Sequence, residues 1–496
     1  MDVYLSSLLL ILQPINLLLI IGTSVVGIIF GAIPGLSAAI GISLLLPITI
    51  GMDTITSFVM LIAMYVSGVS GSFIGATLIG IPGSSSSIAT TFDAFPMTKR
   101  GEATRALTIG ILASFIGTFL SILIATFLSP VIADFALKLG PWEYASLCFA
   151  AITLVAALSE GSMFKCLLAT AMGLMLGTVG MDKVSGVLRF TFGNHSLDNG
   201  ISVIAITLGV FACRQIATNY AKGNQQLPEV KETNIRGLGI NITDITQNIG
   251  TIIRTFLIGL WVGFLPGMGS GVSNMIAYAH AKSSSKHPEE FGKGHPGGIW
   301  ASETSNNASI GGAIIPMMAL GIPGDSITAM LLTGLMIHGL QPGPLMITSN
   351  PQISYLVFSG VLVSAIIVLI MQLLTKRWFP LILKIPYHFL YSAILIVAFI
   401  GAYGTANSIF SIYVMLGCSV LGVIMALGKL PTSPFILAFI LSQNLEAYFR
   451  KGVSYADGNY MTFFTRPVSL IFLLIAVMSI FWPMFKKHAF KKKCAV

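Results

Sequence analysis

Apolar residues run along this chain in long blocks, at roughly 15–33, 36–52, 56–81, 106–133, 144–158, 165–180, 201–216, 252–267, 306–322, 326–340, 353–375, 391–428, 434–448 and 467–485. Asp, Glu, Lys and Arg are absent from 3–52, 54–92, 106–133, 326–375 and 385–428. About 20 apolar residues suffice to cross a bilayer as a helix. The pattern therefore predicts an all-α polytopic membrane protein with about 10–14 full or partial transmembrane helices. The block 391–428 is long enough for one helix or two. Some blocks fall short of the roughly 17 residues that a full span requires, and Pro-Gly pairs interrupt them. Backbone that leaves the helix at membrane depth is tolerated only when protein buries it or when it lines a polar cavity.

The most polar stretch, Asn219 to Asn248, lies near the middle, and the chain repeats itself across it. Gly27-Ile-Ile-Phe-Gly31-Ala-Ile-Pro34-Gly35 matches Gly259-Leu-Trp-Val-Gly263-Phe-Leu-Pro266-Gly267. Gly80-Ile-Pro-Gly83-Ser84 matches Gly321-Ile-Pro-Gly324-Asp325 in the same order. One G-x-x-x-G signals no more than close helix packing. Two different motifs in order, each recurring after about half the chain, predict an internal duplication. The expected organisation is a first membrane half at 1–218, a polar linker at 219–250, and a second half at 251–496 that ends in a basic tail.

Composition sharpens the class. Only 9% of the 496 residues are charged, against 55% apolar by type, where a soluble domain carries about 25% charged. The net charge of +9 does not point to nucleic acid. Its basic residues sit in short clusters at segment ends, such as Lys99, Arg100 and Arg105, or Lys486, Lys487 and Lys491 to Lys493. That distribution follows the positive-inside rule and predicts a cytoplasmic C-terminus. No basic n-region precedes the first apolar block, so 15–33 reads as a retained helix rather than a cleaved signal. The five cysteines include no C-x-x-C pair, which argues against a disulfide framework or a zinc site. H-E-x-x-H, G-x-S-x-G and Walker A motifs are also lacking. The reading is therefore a non-enzyme with no cofactor and no resident metal.

Paired interrupted helices in corresponding positions of two halves are the sequence pointer to a secondary transporter's binding site. A broken helix exposes amides at one end and carbonyls at the other, with about half a charge of each sign. Ser84, Ser85, Ser86 and Ser87 follow Gly83, and Asp325 and Ser326 follow Gly324. Ser and Asp are preferred helix caps, but four consecutive serines exceed what capping needs. Candidate substrate-binding residues are Pro34, Gly35, Gly83, Ser84 to Ser87, Pro266, Gly267, Asn306, Asn307, Gly324 and Ser326. Candidate cation-coupling residues are Glu303, Asp325 and Asp93, because an ionisable group inside a membrane segment is a functional hypothesis by default. The plainer alternatives are an interfacial cap for Glu303, just ahead of the 306–322 block, and a helix-end role for Asp93. His338 reads as a packed or interfacial residue.

These residues together resemble the large membrane subunit of the tripartite tricarboxylate transporter family. The likeness rests on Gly31 to Gly35, Tyr65 with the Ser/Gly run to Ser72, Gly80 to Gly83, and Asp93-Ala-Phe-Pro-Met97 before Gly101-Glu-Ala103. In the second half it rests on Gly263 to Gly267, Phe291-Gly-Lys-Gly294, Glu303 with Asn306-Asn307-Ala308, Gly321 to Gly324, and Gly339-Leu-Gln-Pro-Gly-Pro344. The resemblance implies a bacterial inner-membrane secondary transporter that imports small di- or tricarboxylates on a Na⁺ or H⁺ gradient. It also implies two partners, a small membrane subunit and an extracytoplasmic solute-binding protein. A channel and a structural subunit of a membrane complex are the competing readings.

Overall fold

The computed structural model describes residues 2–159, 161–182, 184–221, 235–404 and 407–493. The chain is an all-α polytopic membrane protein. Among the described residues, seven helices are long and apolar enough to cross a bilayer: Pro14–Ala32, Thr54–Leu78, Ala103–Ala136, Pro141–Leu158, Val203–Ala221, Pro351–Ile382 and Ile409–Leu427. Shorter apolar helices lie between them. The only strands among the described residues form a hairpin pairing Gly180–Met181 with Leu188–Arg189. Residues 222–234 of the polar linker and Cys494 lie outside the described residues. So do the side chains of the C-terminal lysine run.

Each repeated motif falls where a helix breaks. Pro34-Gly35 separates Pro14–Ala32 from Ala38–Thr49, and Pro266-Gly267 separates Ile249–Phe264 from Gly269–Ser284. The second motif separates Phe73–Leu78 from the turn and helix at Ser85–Lys99, and the central helix Pro296–Leu320 from Ser326–Ile337. Gly35 and Gly267 adopt φ of 86° and 82°, a region that non-glycine residues rarely enter. The G-x-x-x-G pairs bring backbones together, as small residues do in membranes. A side chain at Gly31 would strike the Gly68 carbonyl, and one at Gly259 the Ser305 carbonyl.

The two halves pack by exchange. Ala103–Ala136 lies along the central helix of the second half, while Pro351–Thr375 lies along Thr54–Gly71 of the first. Likewise Ile88–Lys99 packs on Gly269–Ser284, and Ser326–Ile337 packs on Ala38–Thr49. Polar and small residues of the central helix are thereby sheathed in protein, and every position from Gly297 to Ala319 is buried. Outer helices instead present large apolar side chains outward, such as Leu18, Phe127, Tyr413 and Leu427.

The structure decides one boundary that hydropathy left open and moves another. The block 391–428 is two helices, Tyr387–Gly404 and Ile409–Leu427. The helix expected from 306 begins at Pro296, so Glu303 lies two turns inside it rather than ahead of it. Hydropathy misses those turns because their polar side chains find partners on neighbouring helices instead of in water.

Candidate functional site

Five helix beginnings meet around one cavity of about 350 Å³. They are the starts of Ala38–Thr49, Gly269–Ser284, Ser326–Ile337 and Thr432–Tyr455, and the serine turn leading into Ile88–Lys99. Ser37, Ser84, Ser85, Ser86, Ser159, Ser270, Ser326, Thr432 and Ser433 line it with hydroxyls, and Gly267 to Gly271 and Gly68 expose backbone. Among the described residues, no Lys, Arg or His lines the cavity, and Asp325 is the one carboxylate that does. Helix N-termini carry unpaired amides and about half a positive charge each. Several aimed at one space make an anion site without a cationic side chain.

The Pro-Gly turns are locked so that these ends converge. A side chain at Gly83 would overlap the Gly31 carbonyl, and one at Gly324 would sit 2.6 Å from the Gly263 carbonyl. Each Gly-Ile-Pro-Gly turn is thus seated on the G-x-x-x-G helix of its own half. The Gly267 amide donates to the Gly324 carbonyl at 2.7 Å, joining the two turns of the second half.

Asp325 is 8% exposed and caps Ser326–Ile337. Its Oδ1 accepts from the Thr328 amide and hydroxyl, both at 2.7 Å. Its Oδ2 accepts from Tyr65 of the first half at 3.2 Å. Glu303 is fully buried on the central helix, behind the cavity wall. Thr90 donates to its Oε1; Ser114 at 3.4 Å and the Asn306 amide at 3.1 Å donate to its Oε2. One turn on, Asn307 Oδ1 accepts from Ser70 at 2.7 Å and Thr118 at 3.2 Å. Asn274 crosses the same seam, accepting from the Ala89 amide at 2.8 Å.

Asp93 does a different job. Its Oδ1 accepts from the amides of Gly292, Gly294 and His295 at 2.8–2.9 Å, and its Oδ2 from Tyr278 at 2.8 Å. Arg100, on the same segment, donates to the Lys293 and Gly294 carbonyls. The Asp-Ala-Phe-Pro-Met and Phe-Gly-Lys-Gly stretches are therefore two sides of one clasp between the halves.

Of the candidates read from sequence, Ser84, Ser85, Ser86, Gly267, Asp325 and Ser326 come together in the cavity. Gly83, Gly324, Pro34 and Pro266 belong to the turns that shape it, while Gly35 faces Gln215 and Asn219. Ser87, Asn306, Asn307 and Glu303 form a buried polar layer beside it. Asp93 stands apart in the clasp. Sequence reasoning missed Ser37 and Ser270, although each follows a Pro-Gly as Ser84 does. It missed Tyr65 as a partner of Asp325, and Thr432 and Ser433, which belong to no repeated motif.

A family profile described as the tripartite tricarboxylate transporter TctA family matches residues 17–437. An uncharacterized 52.8 kDa protein in the TAR-I ttuC' 3' region of Agrobacterium vitis is 32% identical over 467 residues, which is 94% of this chain and 92% of that protein. An uncharacterized protein in the TAR-II ttuC' 3' region of the same organism is 30% identical over 223 residues, 45% of this chain and 92% of its own. No solved structure matches.

Proposed function

The chain belongs to the tripartite tricarboxylate transporter TctA family, and from that premise we propose that it imports a small di- or tricarboxylate using a Na⁺ or H⁺ gradient. The family makes it one component of a transporter that has partner subunits, a solute-binding protein among them. In this reading the solute-binding protein delivers the anion from outside, and a small membrane subunit completes the assembly in a bacterial inner membrane.

One observation carries the proposal: helix N-termini from both halves converge on a hydroxyl-lined cavity that lacks cationic side chains. Carboxylate groups would be held there by amides and by Ser84 to Ser86, Ser270 and Ser326. The two halves are read as copies of one unit that rock about this shared space, as repeat-built transporters do. Asp325 and Glu303 share the coupling, Asp325 at the cavity wall and Glu303 in the buried layer beside it; the effect of Asp325 is direct. Its charge opposes an incoming anion until a cation neutralises it, which makes binding of the two interdependent.

Removing one neutral hydrogen bond costs about 0.5–1.5 kcal/mol. Ser84→Ala is therefore expected to weaken binding of radiolabelled citrate or malate about 2- to 12-fold. Equilibrium binding to the purified complex measures this. If Ser84→Ala, Ser270→Ala and Ser326→Ala all bind as the parent does, the cavity is not the substrate site.

Orientation is a separate proposal. Residues 1–98 contain no Lys or Arg, whereas the C-terminal helix ends in a lysine run, so the C-terminus is expected in the cytoplasm. A fluorescent reporter fused after Val496 should light only if cytoplasmic, and a periplasmic-only phosphatase fusion at the same point should stay silent. The reverse pattern refutes the orientation.

A further inference from the structure

Four serine hydroxyls run unbroken from the cavity toward Glu303. Ser84 Oγ lies 2.6 Å from Ser86 Oγ, Ser86 lies 3.1 Å from Ser72, and Ser72 lies 2.5 Å from Ser87. In each pair either oxygen can donate. Ser84 and Ser86 line the cavity, and Ser87 adjoins the Glu303 carboxylate, which its hydroxyl reaches by rotating away from Ser72. We infer that the coupling ion is a proton, and that it passes between the cavity and Glu303 along Ser84, Ser86, Ser72 and Ser87. The inference rests on the transport reading above and specifies its ion.

The surroundings of Glu303 suit a proton. Every group that touches it is a neutral hydroxyl or amide. Hydroxyls rotate, so they donate to a carboxylate and accept from a carboxylic acid. Asn306 Oδ1 is buried with no partner; an amide flip would turn that oxygen to Glu303, where a protonated carboxyl needs an acceptor.

Among the described residues no charged side chain bonds to Glu303; Lys376, buried against the helix that carries Ser114, donates to Thr108 at 2.7 Å. On the helices packed against Glu303, Asp93 and Tyr278 are bonded to each other, Tyr65 to Asp325, and Arg105 to Glu102 and Asp244. Lys99, Asp134, Arg254, His280 and Lys282 sit toward the ends of their helices.

The transfer balances as a relay. A hydronium ion in the cavity gives its proton to Ser84 and is left as water, the new O–H bond on Ser84 forming as the existing Ser84 proton passes to Ser86. The same exchange repeats through Ser72 and Ser87, and the last proton forms the Glu303 carboxylic O–H bond. Each serine ends with one proton and must rotate before the next cycle. The Val69 carbonyl, 2.7 Å from Ser72 Oγ, gives that hydrogen a resting position. Release reverses the sequence.

The test uses the full chain with its partner subunits in lipid vesicles, a lumenal pH dye, and radiolabelled citrate and malate as probes. The parent should accumulate label under an acid-outside gradient without Na⁺, with protons entering. Ser72→Ala should cut both net uptake and proton entry by more than about tenfold. Exchange of label for internal carboxylate, which moves no net proton, should fall far less. Glu303→Gln should give the same split, and Ser72→Thr, which keeps a hydroxyl, should retain net uptake. Ser87→Ala repeats the test one hydroxyl along, away from the cavity, if Ser72→Ala fails to assemble. Accumulation that follows Na⁺ with the lumenal pH unmoved overturns the inference alone, as does Ser72→Ala uptake equal to the parent's. No binding or movement of either carboxylate by the parent overturns the transport reading, and the inference with it.

Discussion

Asp325→Asn is expected to uncouple substrate binding from the driving gradient. Asn is as good a helix cap as Asp, so Ser326–Ile337 keeps its acceptor for the Thr328 amide and the fold survives. The charge that faces the cavity is gone. An incoming carboxylate then meets no repulsion, and no cation is needed to relieve it. Losing a hydrogen bond or contact made by a charged group costs about 1.5–3 kcal/mol. The affinity for the coupling cation is therefore expected to fall roughly 10- to 150-fold. In vesicles, gradient-driven accumulation of radiolabelled citrate or malate should disappear, and binding should lose its dependence on the cation. If the variant accumulates label with unchanged ion dependence, Asp325 is a cap and nothing more.

A larger effect on stability is expected at the clasp. Asp93→Ala removes the acceptor for three backbone amides and the Tyr278 hydroxyl. Each buried donor left without a partner costs about 1–3 kcal/mol, and four of them together exceed about 4 kcal/mol. That is a large share of the 5–15 kcal/mol by which proteins are stable. The 291–295 segment should detach, and yield of the monodisperse complex in mild detergent should collapse. Asp93→Asn, which retains one carbonyl oxygen for the three amides, should lose much less. Equal yields for Asp93→Ala and the parent would show that the clasp is not holding the halves together.

The membrane class and the paired breaks were legible because they rest on local chemistry. Uncharged apolar blocks have one stable solution in lipid, and Pro-Gly stops a helix wherever it occurs. Gly31, Gly83, Gly263 and Gly324 could be read as a set because a backbone seated against a backbone admits no other residue. What the sequence did not disclose is mostly partnership across distance. Nothing local to Asp93 says that its acceptor capacity is filled by amides some 200 positions on. The polar run at Glu303 to Asn307 looked like the end of a membrane segment because hydropathy counts side chains one at a time. Ser70, Thr90, Ser114 and Thr118 lie on three other helices, and only together do they make that run compatible with burial. Thr432 and Ser433 reach the cavity from an outer helix that shares no motif with the rest.

The exchanged packing also fixes an order of events during synthesis. Ala103–Ala136 enters the bilayer well before the helix Pro296–Leu320 that covers its polar and small face, which starts 193 residues later (296 − 103). Until then Ser114 and Thr118 lack the Glu303 and Asn307 oxygens that accept from them, and Ser121 lacks the close cover of Gly311. The nascent first half is thus a species with its seam open. A ribosome stalled in the linker should leave a product that proteases of the membrane recognise.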